Sequence, residues 1–213
     1  MVFNTTYYSI YLSDFNPLMQ RRETSPPILT PDVIPLYSYI HKEDWGSIMT
    51  ALKIEDLRQF TASLFIGAMF DRFLVREAEI VTFNTFHIDG KVRKEYYTDQ
   101  ELEEAGIGSL SLWETVKPVC FSLIKGKKLP GSFRIVFQLG PEQTQQFLEK
   151  NGLPLRAEQI SGLYLNVRYE EGRLSCITGT SVNFFTMDKS LDQQWDEAVR
   201  CFLREHQIPF VQD

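Results

Sequence analysis

Apolar and polar residues recur with two distinct periods along this chain, and the patterned part begins at Met49. Leu57, Phe60, Leu64, Phe65 and Ala68 fall on one helical stripe, which predicts an amphipathic helix over residues 55–70. The β-branched and aromatic run 79–88 predicts a strand. Asp89-Gly90 reads as a two-residue hairpin turn, because a tight primed turn needs positive φ. Residues 91–98 are then the expected return strand. Ser111-x-x-Glu114 is a capping-box pattern ahead of Trp113, Val116, Cys120, Leu123 and Ile124. It predicts a helix, kinked or shortened by Pro118; a strand over 119–124 is the competing expectation.

Residues 125–131 read as a loop, and 133–139 alternate with period two, as a strand with one polar face does. Pro141 suits the first turn of a helix ending at Asn151-Gly152. Residues 163–169 alternate again, and Glu171-Gly172 turns them back into 174–178. Leu191, Trp195, Ala198, Val199, Phe202 and Leu203 define the last helix, with Ser190-x-x-Gln193 at its start and Arg204 near its negative end. The fold class expected is α+β, antiparallel strands with amphipathic helices. Gly90 and Gly172, Asn84 and Asn166, and Trp113 and Trp195 recur at one offset, which suggests a pseudo-duplicated helix–hairpin–helix layout. Two-layer arrangements of the clamp or TATA-binding-protein kind would accommodate it, as architecture alone.

Residues 1–48 have another character. They hold Pro17, Pro26, Pro27, Pro31 and Pro35, half of the chain's ten prolines, and show no apolar period. Such a segment buries too little to offset its ordering entropy, so a disordered arm is one expectation. A mistaken gene-start extension is the other: Lys42-Glu43-Asp44 is encodable as AAG-GAG-GAT, a ribosome-binding sequence upstream of Met49. A single globular domain over 49–213 is expected either way.

Charge narrows the function classes. The chain carries a net charge of −6, and 49–213 stays acidic without the leading segment. A general nucleic-acid binder needs a basic field, so nucleic acid is not the expected partner. No apolar run reaches the roughly 18–20 residues that span a bilayer. Cys120, Cys176 and Cys201 lie far apart beside aromatic or β-branched residues, which fits buried, reduced thiols in a cytoplasmic protein.

No recognisable catalytic motif is present. Gly126-Lys127-Lys128 lacks the spacing of a phosphate-binding loop, and there is neither a dinucleotide fingerprint nor a Gly-x-Ser-x-Gly elbow. His41, His87 and His206 are scattered and make no metal spacing with the cysteines, so neither a metal nor a cofactor is expected. The candidate binding residues are Asn84, His87, Lys125, Lys127, Lys128, Thr178, Thr180 and Ser181. Thr178-Gly179-Thr180-Ser181 is either an anion-holding run or a strand end relieved by Gly179. Lys125, Lys127 and Lys128, joined by Arg93 and Lys94, form either a phosphate or acidic-partner dock or a solvated turn. Asn84 and His87 interrupt an apolar strand, as pocket-lining or as solvent-facing groups. Asp192 and Asp196 stand four apart with no histidine near, which suits helix-start electrostatics better than acid–base catalysis.

Several strings resemble an uncharacterised family of anaerobic Gram-positive bacteria, a domain of unknown function. They are Thr82-Phe83-Asn84-Thr85-Phe86 with Ile88-Asp89-Gly90; Lys117-Pro118-Val119-Cys120-Phe121; Gly162-Leu163-Tyr164-Leu165-Asn166; Thr178-Gly179-Thr180-Ser181; and Asp188-Lys189-Ser190-Leu191 before Trp195-Asp196. The resemblance spans about residues 49–208 and brings no established activity, so it assigns no catalytic residue. The expected function is a non-enzymatic cytoplasmic binding or assembly domain. Its partner would be a protein or a second copy, met through an exposed sheet face or hairpin edge. The rival is a small-molecule or nucleotide-handling enzyme with Asn84, His87, Lys127 and Thr180 gathered in a cleft. Nucleic-acid association through the lysine loop is the weakest option.

Overall fold

The computed structural model describes residues 50–98, 100–102, 108–126 and 128–212. The expectations for 1–48 lie outside them. Along the chain come β1 (Ala51–Ile54), α1 (Leu57–Phe65), β2 (Leu74–Val81), β3 (Thr85–Asp89), α2 (Trp113–Ile124), β4 (Ser132–Gln138), α3 (Pro141–Lys150), β5 (Ile160–Glu170), β6 (Arg173–Val182), α4 (Ser190–Glu205) and β7 (Phe210–Gln212). The strands form one antiparallel seven-stranded sheet in the order β3-β2-β4-β5-β6-β1-β7. The α+β class therefore holds. No helix among the described residues is long and apolar enough to cross a membrane.

Register explains the core. Ala78, Ile135, Val167, Cys176 and Leu52 lie side by side across five strands, and all are buried. Successive side chains alternate faces, so the same side also carries Ile80, Phe133, Tyr169 and Leu174. The helices bury their apolar stripes on this side: Phe60, Leu64 and Phe65 of α1, Trp113 and Cys120 of α2, Leu148 of α3, and Leu191, Trp195, Val199 and Leu203 of α4. Each such side chain contributes about 1.5–3 kcal/mol when fully buried. The opposite face runs His87, Glu79, Arg134, Arg168, Ser175 and Lys53 across the strands, a polar row that ends at Val211 and lies beside half-buried Val136 and Ile177.

Four sequence expectations are corrected. The run 79–88 is not one strand: Val81 pairs with Thr85, and the chain reverses at Thr82–Phe83–Asn84, where Thr82 N–H donates to Asn84 C=O. Residues 91–98 do not return as a strand; Lys91 makes one bridge to Leu110 and Lys94–Tyr96 is a single 3-10 turn. The cause lies in β2, which begins upstream at Leu74 and has a bulge between Val75 and Glu77. Past the bulge the segment at Ser111 replaces β3 as its neighbour, through Val75 N–H to Ser111 C=O and Ser111 N–H to Gly90 C=O.

The helix–hairpin–helix duplication is likewise unsupported. Gly172 is a true turn glycine at φ 74, following Glu171 at φ 51, whereas Gly90 is not in the left-handed region. Asn84 sits in a turn and Asn166 in mid-strand; Trp113 opens α2, while Trp195 lies in the second turn of α4. Finally, α2 and α4 have no side-chain hydrogen bond at their N-caps, Leu112 and Lys189. Asp188 instead accepts from Ser190 N–H and hydroxyl, and α2 runs through Pro118 to Ile124.

Burial decides the thiols. Desolvation raises the Cys120 thiol to about 12 and moves Cys176 in the same direction; Cys201, expected to be buried with them, is instead exposed on α4. Iodoacetamide at neutral pH is expected to alkylate Cys201 alone, with Cys120 and Cys176 reacting only after unfolding. Mass mapping of the labelled chain checks this, and native labelling of Cys176 would contradict the packing. Because the folded state holds these protons longer, their contribution is intact below about pH 9 and declines as pH rises towards 12.

Candidate binding cleft

The cleft forms where β6 leaves the sheet. α3 ends with Asn151 and Gly152, the latter at φ 62, and Leu153 N–H returns to Leu148 C=O. Leu153-Pro154-Leu155 thereby makes one wall. The opposite wall is Thr180 and Val182 at the end of β6 with Leu191 and Asp192 at the start of α4. The connecting loop adds Phe184, Phe185, Thr186, Asp188 and Lys189. That loop is anchored at its start: Asn183 N–H donates to Gln159 C=O and its side chain to Glu158 C=O. The space enclosed is about 380 Å³, within the range of small-ligand pockets. Phe185, which lines it, is 91 % exposed, and Met187 of the same loop is 84 % exposed.

Its polar end rests on a matched pair of periods. Asp192 and Asp196 share a face of α4, four residues apart, and Thr178 and Thr180 share a face of β6, two apart. Thr180 hydroxyl donates to Asp192, whose other oxygen faces Lys189 Nζ at 3.5 Å. Thr178 and Thr50 hydroxyls each donate to Asp196 at 2.5 Å. Asp192 and Asp196 are only 8 % and 6 % exposed, so these bonds offset a desolvation that would otherwise oppose folding. Trp195 Nε1 donates to Tyr164 C=O on the same helix face. The spacing of the two aspartates was visible in the sequence; the hydroxyls facing them became visible only once α4 lay on β6.

The sequence-nominated residues do not converge. Asn84 is exposed in the β2–β3 turn, and Lys125 and Lys128 are exposed in the loop entering β4, where Gly131 N–H donates to Val81 C=O. Those three share one end of the sheet; Lys127 lies outside the described residues. His87 is exposed on edge strand β3, paired with Glu79. Thr180 belongs to the other end, four places away in strand order, a separation on the order of 20 Å. Ser181 pairs with Gly162 and points away from Thr178 and Thr180, on the face opposite the helices. Arg93 and Lys94 follow the far end of β3, where Lys94 joins Arg76 and Lys91 in a second, more open hollow. Arg93 itself bridges to Asp89 at 3.8 Å. Among the described residues, no three His, Cys, Asp or Glu side chains are grouped to hold a metal.

No curated protein and no solved structure matches this chain. A family model covers residues 63–211, which include β2 to β6, all of α2, α3 and α4, and the whole cleft. The chain belongs to that family, described as a family of unknown function, DUF5721.

Proposed function

We propose that this chain is a non-enzymatic binding module of the bacterial cytoplasm, and that the cleft at the end of β6 seats an apolar segment of a protein partner. The observation that carries this reading is the apolar loop at the cleft mouth. Phe185 stands almost fully in water and lines the cleft with Leu153, Leu155, Val182 and Leu191, and Met187, two residues on in the same loop, is nearly as exposed. Exposed aromatic and methionine side chains around a concavity are the composition of interface cores rather than of ordinary surface. The dispersal of Asn84, His87 and Thr180 supports the same reading over an enzyme built from them. Strings shared with the anaerobic Gram-positive family support the bacterial setting, and two buried thiols support a reducing compartment.

The paired substitution F185S/M187S tests it in the full chain. Neither side chain lies in the core, so unfolding is expected to stay within about 0.5 kcal/mol of the parent. Partner recovery from the native host is expected to fall about tenfold or more, as removal of an interface hot spot does. Native mass spectrometry of the complex reports whether the partner is another protein or a second copy. Equal recovery by parent and variant would refute the reading.

A further inference from the structure

The cleft joins apolar walls to an excess of negative charge, and that combination restricts what it takes. Lys189 and Asp192 oppose each other and largely cancel. Asp188, lining the same space, has no cation partner among the described residues. The Ser190 hydroxyl and N–H hold its carboxyl below the usual range, so it stays ionised. Asp196, one turn behind Asp192, is met by two threonine hydroxyls and no cation. The rings of Phe184 and Phe185 stand at the mouth, and aromatic faces attract cations. An entering anion meets repulsion. A neutral aliphatic group gains only the walls. A basic side chain with an aliphatic stem satisfies both halves.

We propose that the anchor is a lysine side chain of the partner, its stem along Leu155, Val182 and Leu191 and its ammonium at Asp188 beside the Phe184 and Phe185 rings. This rests on the binding-module reading and adds the chemistry of the anchor. A lysine within a protein segment is the source, because Phe185 and Met187 extend the apolar surface beyond what a free amine covers.

The test titrates the full chain at low salt with N-acetyl-Leu-Lys-Leu-amide, its norleucine counterpart, n-hexylammonium and hexanoate, following the backbone amide shifts of Leu155, Val182 and Leu191. The lysine peptide is expected to bind about fivefold or more tightly than the norleucine peptide, a cation–π and ion-pair increment, with hexanoate inert. Asp188→Asn keeps an acceptor for Ser190 and is expected to abolish that preference. Equal binding of the two peptides overturns the ammonium anchor and leaves the apolar binding module standing. Binding of hexylammonium without either peptide overturns the partner lysine in favour of a small amine. Silence from all four overturns both readings, and a preference that survives Asp188→Asn overturns the role of Asp188.

Discussion

Trp113→Ala is expected to remove about 3–5 kcal/mol of stability, the range for deleting a fully buried aromatic side chain. The indole is inaccessible to solvent and opens α2. Its ring lies 5.8 Å from Phe65 of α1 and 5.2 Å from Phe137 of β4, so one side chain joins two helices to the sheet. Nε1 also donates to Leu64 C=O at 2.7 Å, in the last turn of α1, where the helix itself supplies no donor. Truncation therefore leaves both a cavity and an orphaned buried carbonyl, the second costing about 1–3 kcal/mol. Trp113→Phe refills most of the space and isolates the hydrogen bond. Urea unfolding of the full chain reads both variants: the midpoint should drop with an unchanged slope. A loss below about 1 kcal/mol for Trp113→Ala would contradict this packing.

Gly90→Ala is expected to cost about 3 kcal/mol, at the upper end for overpacking. A Cβ at Gly90 would sit 1.8 Å from Val75 C=O and 2.6 Å from its carbonyl carbon, and backbone atoms of a central strand have nowhere to move. Gly90 N–H is bonded to Arg76 C=O across the bulge, which fixes the approach. The alternative account, a primed-turn glycine, predicts something else: asparagine tolerates positive φ, so Gly90→Asn would be nearly neutral. With the contact as observed, asparagine carries the same Cβ and is no better than alanine. Calorimetric melting of the two variants separates the accounts, and a wild-type melting temperature for Gly90→Asn would sink the close-approach argument.

Gly90 also shows where local sequence stops being informative. Asp89-Gly90 is a strong turn signal, and Thr82-Phe83-Asn84 is a weak one buried in a β-favouring run. The chain nevertheless reverses at the weak signal. β2 reaches back to Leu74 to pair with β4, and the register of that longer ladder places Val81 at its end. Non-local pairing outweighed turn propensity. By contrast, Glu171-Gly172 turns as expected, because two long strands, β5 and β6, flank it and pair directly with each other. β1 and β7 went unnoticed for a related reason. They are four and three residues long, and their strand character comes from pairing with residues more than a hundred positions away.

The cleft divides in the same way. Its acids, hydroxyls and aromatics are all present as short strings, but period-two and period-3.6 patterns say only which residues share a face. They do not say which face meets which. Thr178 and Thr180 looked equally able to hold an anion, and the structure spends both hydroxyls on carboxylates of α4.

From sequence alone came the α+β class, the spans of α3, α4 and β4, the presence of α1 and β5 though not their full bounds, the turn at Gly172 and the burial of two of the three cysteines, because each follows from local periodicity, backbone restriction or burial preference. Tertiary structure alone decided the seven-strand order, the bulge that makes Gly90 indispensable, the Thr50–Thr178–Asp196 cluster and the cleft itself. These depend on the packing of segments distant in the chain, whose geometry no local pattern encodes.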